Sequence, residues 1–210
     1  MSDRKKQLQA RFNDFFKDVL GENINLYDKL STKKIVELKK VISCINNIIT
    51  LQVTEKFAVF LEQQHIINSK QKNDILAQIN AVNANANGYD IQYTEPILKG
   101  KGLLAEIKCN IPVNATSFGA AQLAGIIKDI NGLKNGKYKA QSKAQIEDSD
   151  AYRKILADYY KFMVFLDGDR VQNSVDKLLK SNLDIPTAIF PSDIQELNTE
   201  TVYIVILSID

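Results

Sequence analysis

The chain has 210 residues, 45% hydrophobic and 25% charged, which is the balance of an ordinary globular protein long enough to bury a core. Lys and Arg number 27 against 25 Asp and Glu, a formal charge of +2. That excludes a histone-like or polybasic binder, so any nucleic-acid surface has to come from local clustering. Cys44 and Cys109 lie far apart and there is a single histidine, His65, which argues against a structural zinc site and a Cys–His nucleophilic pair. The first residues are polar and the most apolar stretch, 41–53, is broken by Asn46, Asn47 and Gln52. No signal peptide or membrane span is expected, and a reducing cytoplasm is the expected compartment.

In chain order, Leu8, Phe12, Phe15, Phe16 and Val19 predict a helix over 4–20, stopped by Gly21. A second helix is expected over 33–49, capped by Ser31 or Thr32, with Ile35, Leu38, Val41, Ile42, Ile45 and Ile49 as its apolar stripe. Phe57, Phe60 and Leu61 predict a third over 54–67, and Ile75, Leu76, Ile79 and Val82 a fourth after Ser69. Asn83-Ala-Asn-Ala-Asn-Gly88 is the clearest break in the chain. Beyond it, strands are expected at 89–93 and 103–111, the second ended by Pro112, with a loop at Lys99–Gly102 between them. A helix over 118–130 should stop at Asn131-Gly132, followed by a polar, Lys-rich stretch over 134–150. The remainder reads as helix 151–160, strand 162–166, helix 171–181 and an apolar strand over 201–209 suited to a sheet centre. This order predicts an α/β protein with a mixed central sheet, helices on both faces and a helical N-terminal region.

The chemistry concentrates between Gly88 and Lys108. Asp90 lies in the first expected strand, and Glu106 and Lys108 lie two apart in the second, so they project from one face. Their neighbours Leu103, Leu104, Ala105 and Ile107 are apolar. A carboxylate and an ammonium in such a strand cost several kcal/mol, on the order of a buried charge, unless paired or metal-bound. Acid-x-Lys also occurs at Asp3–Lys5 and Glu37–Lys39, so the tripeptide carries no weight alone. Only Glu106–Lys108 has an apolar strand around it and an acid one strand upstream. Two carboxylates on adjacent strands suit Mg²⁺, a hard cation that keeps several waters. The metal would polarise a phosphoryl oxygen and acidify a bound water, while the lysine orients that water or stabilises transition-state charge.

Asp…Glu-x-Lys on two neighbouring strands, after one helix and before a helix–strand, resembles the PD-(D/E)xK nuclease superfamily, which includes many type II restriction endonucleases. The resemblance covers roughly residues 54–167. It implies a restriction-endonuclease-like fold, with Asp90 and Glu106 as metal ligands and Lys108 as the catalytic lysine. The pattern departs at Tyr89, where the family has proline. Glu95-Pro96 has the reverse order and lies 11 residues before Glu106, against 16 for Asp90. Glu95 is therefore the rival first carboxylate. The resemblance also implies a further carboxylate from the preceding helix, with Glu55 and Glu62 as candidates, and a helix after the lysine strand bordering the site, with Gln122 on it. On this reading 1–210 is one nuclease-like domain, with a helical extension over 1–52 and a catalytic core over 54–210.

Lys128, Lys134, Lys137, Lys139 and Lys143 fall within 16 positions with Asp129 as the sole acid. They form a candidate grip on DNA backbone, extended by Lys99 and Lys101. The expected function is Mg²⁺-dependent cleavage of double-stranded DNA, as a type II restriction endonuclease. A structure-specific repair or recombination nuclease and a non-catalytic DNA-binding protein are the alternatives. Cutting both strands of a palindrome needs two sites, hence a homodimer. No Walker loop, Gly-x-Gly-x-x-Gly or Gly-x-Ser-x-Gly is present, which excludes nucleotide-fuelled, dinucleotide and hydrolase-elbow chemistry.

Overall fold

A computed structural model describes residues 3–21, 25–81, 88–112, 117–137, 149–181 and 183–209. Helix α1 (Asp3–Leu20) ends where Gly21 takes a left-handed φ of 67°. A short helix not expected from the sequence, α2 (Leu26–Lys29), starts at Asn25, whose side chain accepts the Asp28 N–H. Phe12 packs on Phe16 at 4.8 Å and edge-on to Tyr27 at 5.7 Å. The two helices expected over 33–49 and 54–67 are one, α3 (Thr32–Gln63), 32 residues long. No glycine or proline interrupts it, and the Thr54 hydroxyl donates back to the Thr50 carbonyl at 2.6 Å, satisfying itself within the helix. The chain divides into two compact units, Met1–Asn46 and Asn47–Asp210. The division falls inside α3.

The second unit continues with α4 (Ser69–Ala81), β1 (Ile91–Tyr93), β2 (Gly102–Lys108) and α5 (Ala120–Asn135). It then runs through α6 (Ser149–Leu156), β3 (Tyr159–Leu166), α7 (Val171–Lys180), β4 (Thr187–Ile189) and β5 (Val202–Leu207). The five strands form one sheet in the order β1-β2-β3-β5-β4. β1 is antiparallel to β2 and the other neighbours are parallel. This is an α/β protein with a mixed sheet flanked by helices.

Alternation along the strands builds the layers. Leu103, Ala105 and Ile107 of β2 join Phe162, Val164, Tyr203 and Val205 on one face, where Val53, Phe57 and Leu61 of α3 and Ile75 of α4 cover them. Leu104, Met163, Phe165 and Ile204 look the other way, onto Ile126, Ile130 and Leu133 of α5, Leu156 of α6 and Val175 and Leu178 of α7. Among the described residues no helix is long and apolar enough to cross a membrane.

Several boundaries differ from expectation for identifiable reasons. β1 begins after Asp90, which occupies a bend, and β2 stops at Lys108 rather than 111. α5 passes through Asn131-Gly132 and stops at Gly136, whose φ is 92°. Gly132 is not a terminator but a close-approach point, since a Cβ there would lie 2.8 Å from Lys137 Cγ. β3 takes up Tyr159 and Tyr160, which the amphipathic pattern assigns to a helix, because parallel pairing with β2 begins at Gly102 opposite Tyr159. β4 lies between Pro186 and Pro191 and is missed because prolines suppress a strand reading, although they suit a short edge strand.

Candidate active site

The sheet brings three of the sequence-selected residues together. Ile91 pairs with Ala105, and continuing that register sets Asp90 opposite Glu106. Asp90 Oδ2 accepts the backbone N–H of Ile107 at 2.7 Å, which fixes its carboxylate beside β2. Glu106 and Lys108 share the β2 face that carries Leu104, toward α5. Lys108 Nζ donates to Asp129 Oδ2 on α5. Lys137 Nζ lies 2.6 Å from Glu106 Oε1 and 3.2 Å from Asp129 Oδ1. Three carboxylates and two ammonium groups therefore interlock at this end of β2.

Glu106 is 3% exposed. Its Oε1 is buried, and the Lys137 ammonium, 2.6 Å away, is its charge partner. Burial, with the Asp90 carboxylate in second place, pushes the Glu106 carboxyl up to about 7 against the opposing pull of Lys137. Asp90 keeps some residue surface in solvent, yet its carboxyl packs against the sheet and desolvation raises its pKa. Asp129 behaves oppositely. Burial alone would raise it, but hydrogen bonds and charges from Lys108 and Lys137 hold it below the usual carboxylate range. Tyr89, half-buried beside the cluster, donates its hydroxyl to the Gly132 carbonyl at 3.0 Å, and burial raises its phenol.

The remaining sequence candidates lie elsewhere or have other duties. Glu62 pairs with Lys72 of α4 at 2.6 Å. Glu55 lines an open pocket with Gln52, Lys56, Val59, Leu76, Asn80 and Ile209. Both belong to α3, which covers the sheet face opposite Glu106. Glu95 is exposed beyond the far end of β1. Lys99 donates to the Gln195 carbonyl at 2.9 Å and Lys101 pairs with Asp158 at 2.7 Å, both before the start of β2 and so at the other sheet end from Lys108. Lys134 pairs with Glu200, ahead of β5, and Lys128 is an exposed residue of α5. Lys139 and Lys143 lie outside the described residues. Gln122 accepts the Gly119 N–H at 3.0 Å and donates to the Ile111 carbonyl at 2.9 Å, so its amide caps α5 and ties down the preceding loop.

Sequence reasoning missed Asp129 as a member of the cluster. The available signal was its isolation as the sole acid in a lysine-rich run. Lys137, a candidate for DNA contact, faces two carboxylates. No protein-family model matches the chain, and no curated protein or solved structure matches it either.

Proposed function

We propose that this protein is a metal-dependent endonuclease that hydrolyses DNA phosphodiester bonds, with a restriction-endonuclease-like core. One observation carries the reading: Asp90, just ahead of β1, accepts the N–H of Ile107 between Glu106 and Lys108, which share one face of an otherwise apolar strand. Among the described residues no three Asp, Glu, His or Cys side chains gather as a metal cluster. The donors on offer are the Asp90 and Glu106 carboxylates, and the buried Oε1 of Glu106 has the Lys137 ammonium 2.6 Å away. Such a set suits Mg²⁺, whose other ligands would be waters and a phosphate oxygen.

Mg²⁺ bound by Asp90 and Glu106 would supply Lewis acidity toward the phosphoryl oxygen and lower the pKa of a water. Glu106 must be ionised to serve, and its carboxyl near pH 7 gives up its proton readily under neutral conditions. Lys108, kept in place by Asp129, holds its ammonium beside the reacting phosphate and stabilises charge on it in the transition state. The water oxygen bonds to phosphorus as its proton leaves to solvent. The bond to the leaving sugar oxygen breaks, and that oxygen takes a proton from solvent.

A type II restriction enzyme is the form we favour, acting on double-stranded DNA as a homodimer. Exposed Phe15, Val19 and Leu20 of α1, and exposed Val41, Ile42 and Ile45 of α3, offer apolar surface for a second copy. The test is incubation of the purified protein with plasmid, linear, branched and single-stranded DNA in Mg²⁺. Discrete fragments from linear duplex support restriction. Cleavage confined to branched, damaged or single-stranded DNA selects a repair nuclease. Salt-dependent DNA binding that EDTA leaves unchanged, with no cleavage, selects a non-catalytic binder and overturns the enzyme reading.

A further inference from the structure

Lys137 plays no part in the mechanism above, yet its placement is specific. It follows Gly136, whose φ of 92° turns the chain at the end of α5. Its side chain runs back along the helix over Gly132, where a Cβ would sit 2.8 Å from Lys137 Cγ and 3.1 Å from Cε. Nζ then reaches Glu106 Oε1 at 2.6 Å and Asp129 Oδ1 at 3.2 Å. It also donates to the Gly88 carbonyl at 3.3 Å and lies 5.7 Å from the centroid of the Tyr89 ring. Glu106 Oε1, buried and held by this ammonium, is the atom a divalent cation would claim.

We propose that Lys137 is a built-in counter-cation that occupies Glu106 in the metal-free protein and competes with a divalent ion for it. The inference rests on the metal-dependent reading above. A buried carboxylate near two others needs a positive neighbour when no metal is bound, and Lys137 supplies it. A divalent cation and an ammonium cannot both sit on one carboxylate oxygen without strong repulsion. Metal binding therefore breaks the Glu106 contact. Lys137 keeps Asp129, the Gly88 carbonyl and the Tyr89 ring, so it remains beside the site as a second ammonium, next to Lys108. The glycine at 132 is what admits the lysine stem, so the competition is set by backbone as well as by charge.

The experiment titrates Mn²⁺ alone into the full-length protein, following free ion by electron paramagnetic resonance, for wild type, Lys137→Met, Gly132→Ala and Glu106→Gln. Removing the competitor should tighten Mn²⁺ binding in Lys137→Met by at least about fivefold, the lower end of ordinary coupling between ligands. Gly132→Ala, which displaces the stem and keeps every charge, should tighten it by a smaller factor, and Glu106→Gln should abolish it. Equal or weaker binding in both Lys137→Met and Gly132→Ala, with Mn²⁺ bound by wild type, overturns the counter-cation role and leaves the metal site standing. No binding by wild type overturns both readings together. Should Lys137→Met fail to fold, as judged by circular dichroism, Gly132→Ala decides the matter.

Discussion

Asp90 accepts the N–H of Ile107 at 2.7 Å, so a carboxylate ahead of one strand is fastened to the residue between Glu106 and Lys108 on the next. This bond separates two duties of the side chain. Asn at position 90 preserves an oxygen acceptor and removes the charge, whereas Ala removes both. Asp90→Asn should unfold within about 0.5 kcal/mol of wild type, while Asp90→Ala loses about 1 kcal/mol or more from the unpaired N–H. Both should lose Mn²⁺ binding and cleavage. Paired denaturation curves and metal titrations check it, and cleavage at wild-type rate by either variant contradicts the assignment.

Lys108→Ala should cut DNA about 10²–10³-fold more slowly, the cost of one well-placed electrostatic contact in the transition state. Divalent binding should be unchanged or tighter, because a positive charge beside the carboxylates is gone. Glu95→Ala, at the far end of β1, should match wild type in both. Single-turnover cleavage with parallel metal titration reads all of these, and an inactive Glu95→Ala would reverse the choice of first carboxylate.

Asp129 holds Lys108 and Lys137 from α5. Asp129→Asn leaves both ammonium groups without their shared counter-ion and lets Lys108 drift. A displacement of about 1 Å is enough to cost up to about 10²-fold in rate. The loss should appear in kcat more than in DNA affinity, measured by filter binding in Ca²⁺. A purely structural Asp129 would lower thermal stability and leave kcat of the folded fraction intact.

Gln122 has both ends of its amide engaged in capping α5 and anchoring the loop at Ile111. Gln122→Ala should cost about 1 kcal/mol of stability through the lost cap. Cleavage per folded molecule should stay within about twofold of wild type, since a capping bond carries no transition-state charge. A drop of 10²-fold or more would move Gln122 into the site.

The buried base Lys161 gives the clearest pH signature away from the cluster. It is 1% exposed and donates to the carbonyls of Leu156, Tyr159 and Thr199 at 2.8, 3.0 and 2.6 Å. Burial lowers its pKa from 10.5 to about 8. Between those values the unfolded chain binds the extra proton, so stability should rise with pH, by about 1.4 kcal/mol per unit at most. Below pH 8 both states carry the charge and the slope disappears. Urea unfolding at pH 7, 9 and 10 should show this rise in wild type and lose it in Lys161→Met, and a parallel pair of curves would refute it.

The strands with strong chemistry were readable because an acid and a lysine two apart contradict an apolar run, and contradiction is visible in one dimension. Asp129 was not, because on its own helix it looks like any solvated acid, and only the packing of α5 on β2 reveals its partners. Glu55 and Glu62 share a helix side, but whether that side meets the site depends on which sheet face Val53, Phe57 and Leu61 cover. Helix phase cannot state that. The continuity of α3 across residues 50–53 escapes the apolar pattern, because the Thr54 hydroxyl is satisfied by the Thr50 carbonyl within the helix.

The alternation of β2 gives its chemistry something like a reading frame. Leu103, Ala105 and Ile107 face α3 while Leu104 and the charged pair face α5. Inserting or deleting one residue between Gly102 and Leu103 would exchange the two sets. Glu106 and Lys108 would then be driven into the apolar layer beneath α3, away from Asp129, and three hydrophobes would be left against the acids. Length changes at this strand should therefore be tolerated only in pairs, a constraint that falls on spacing more than on the identity of any single side chain.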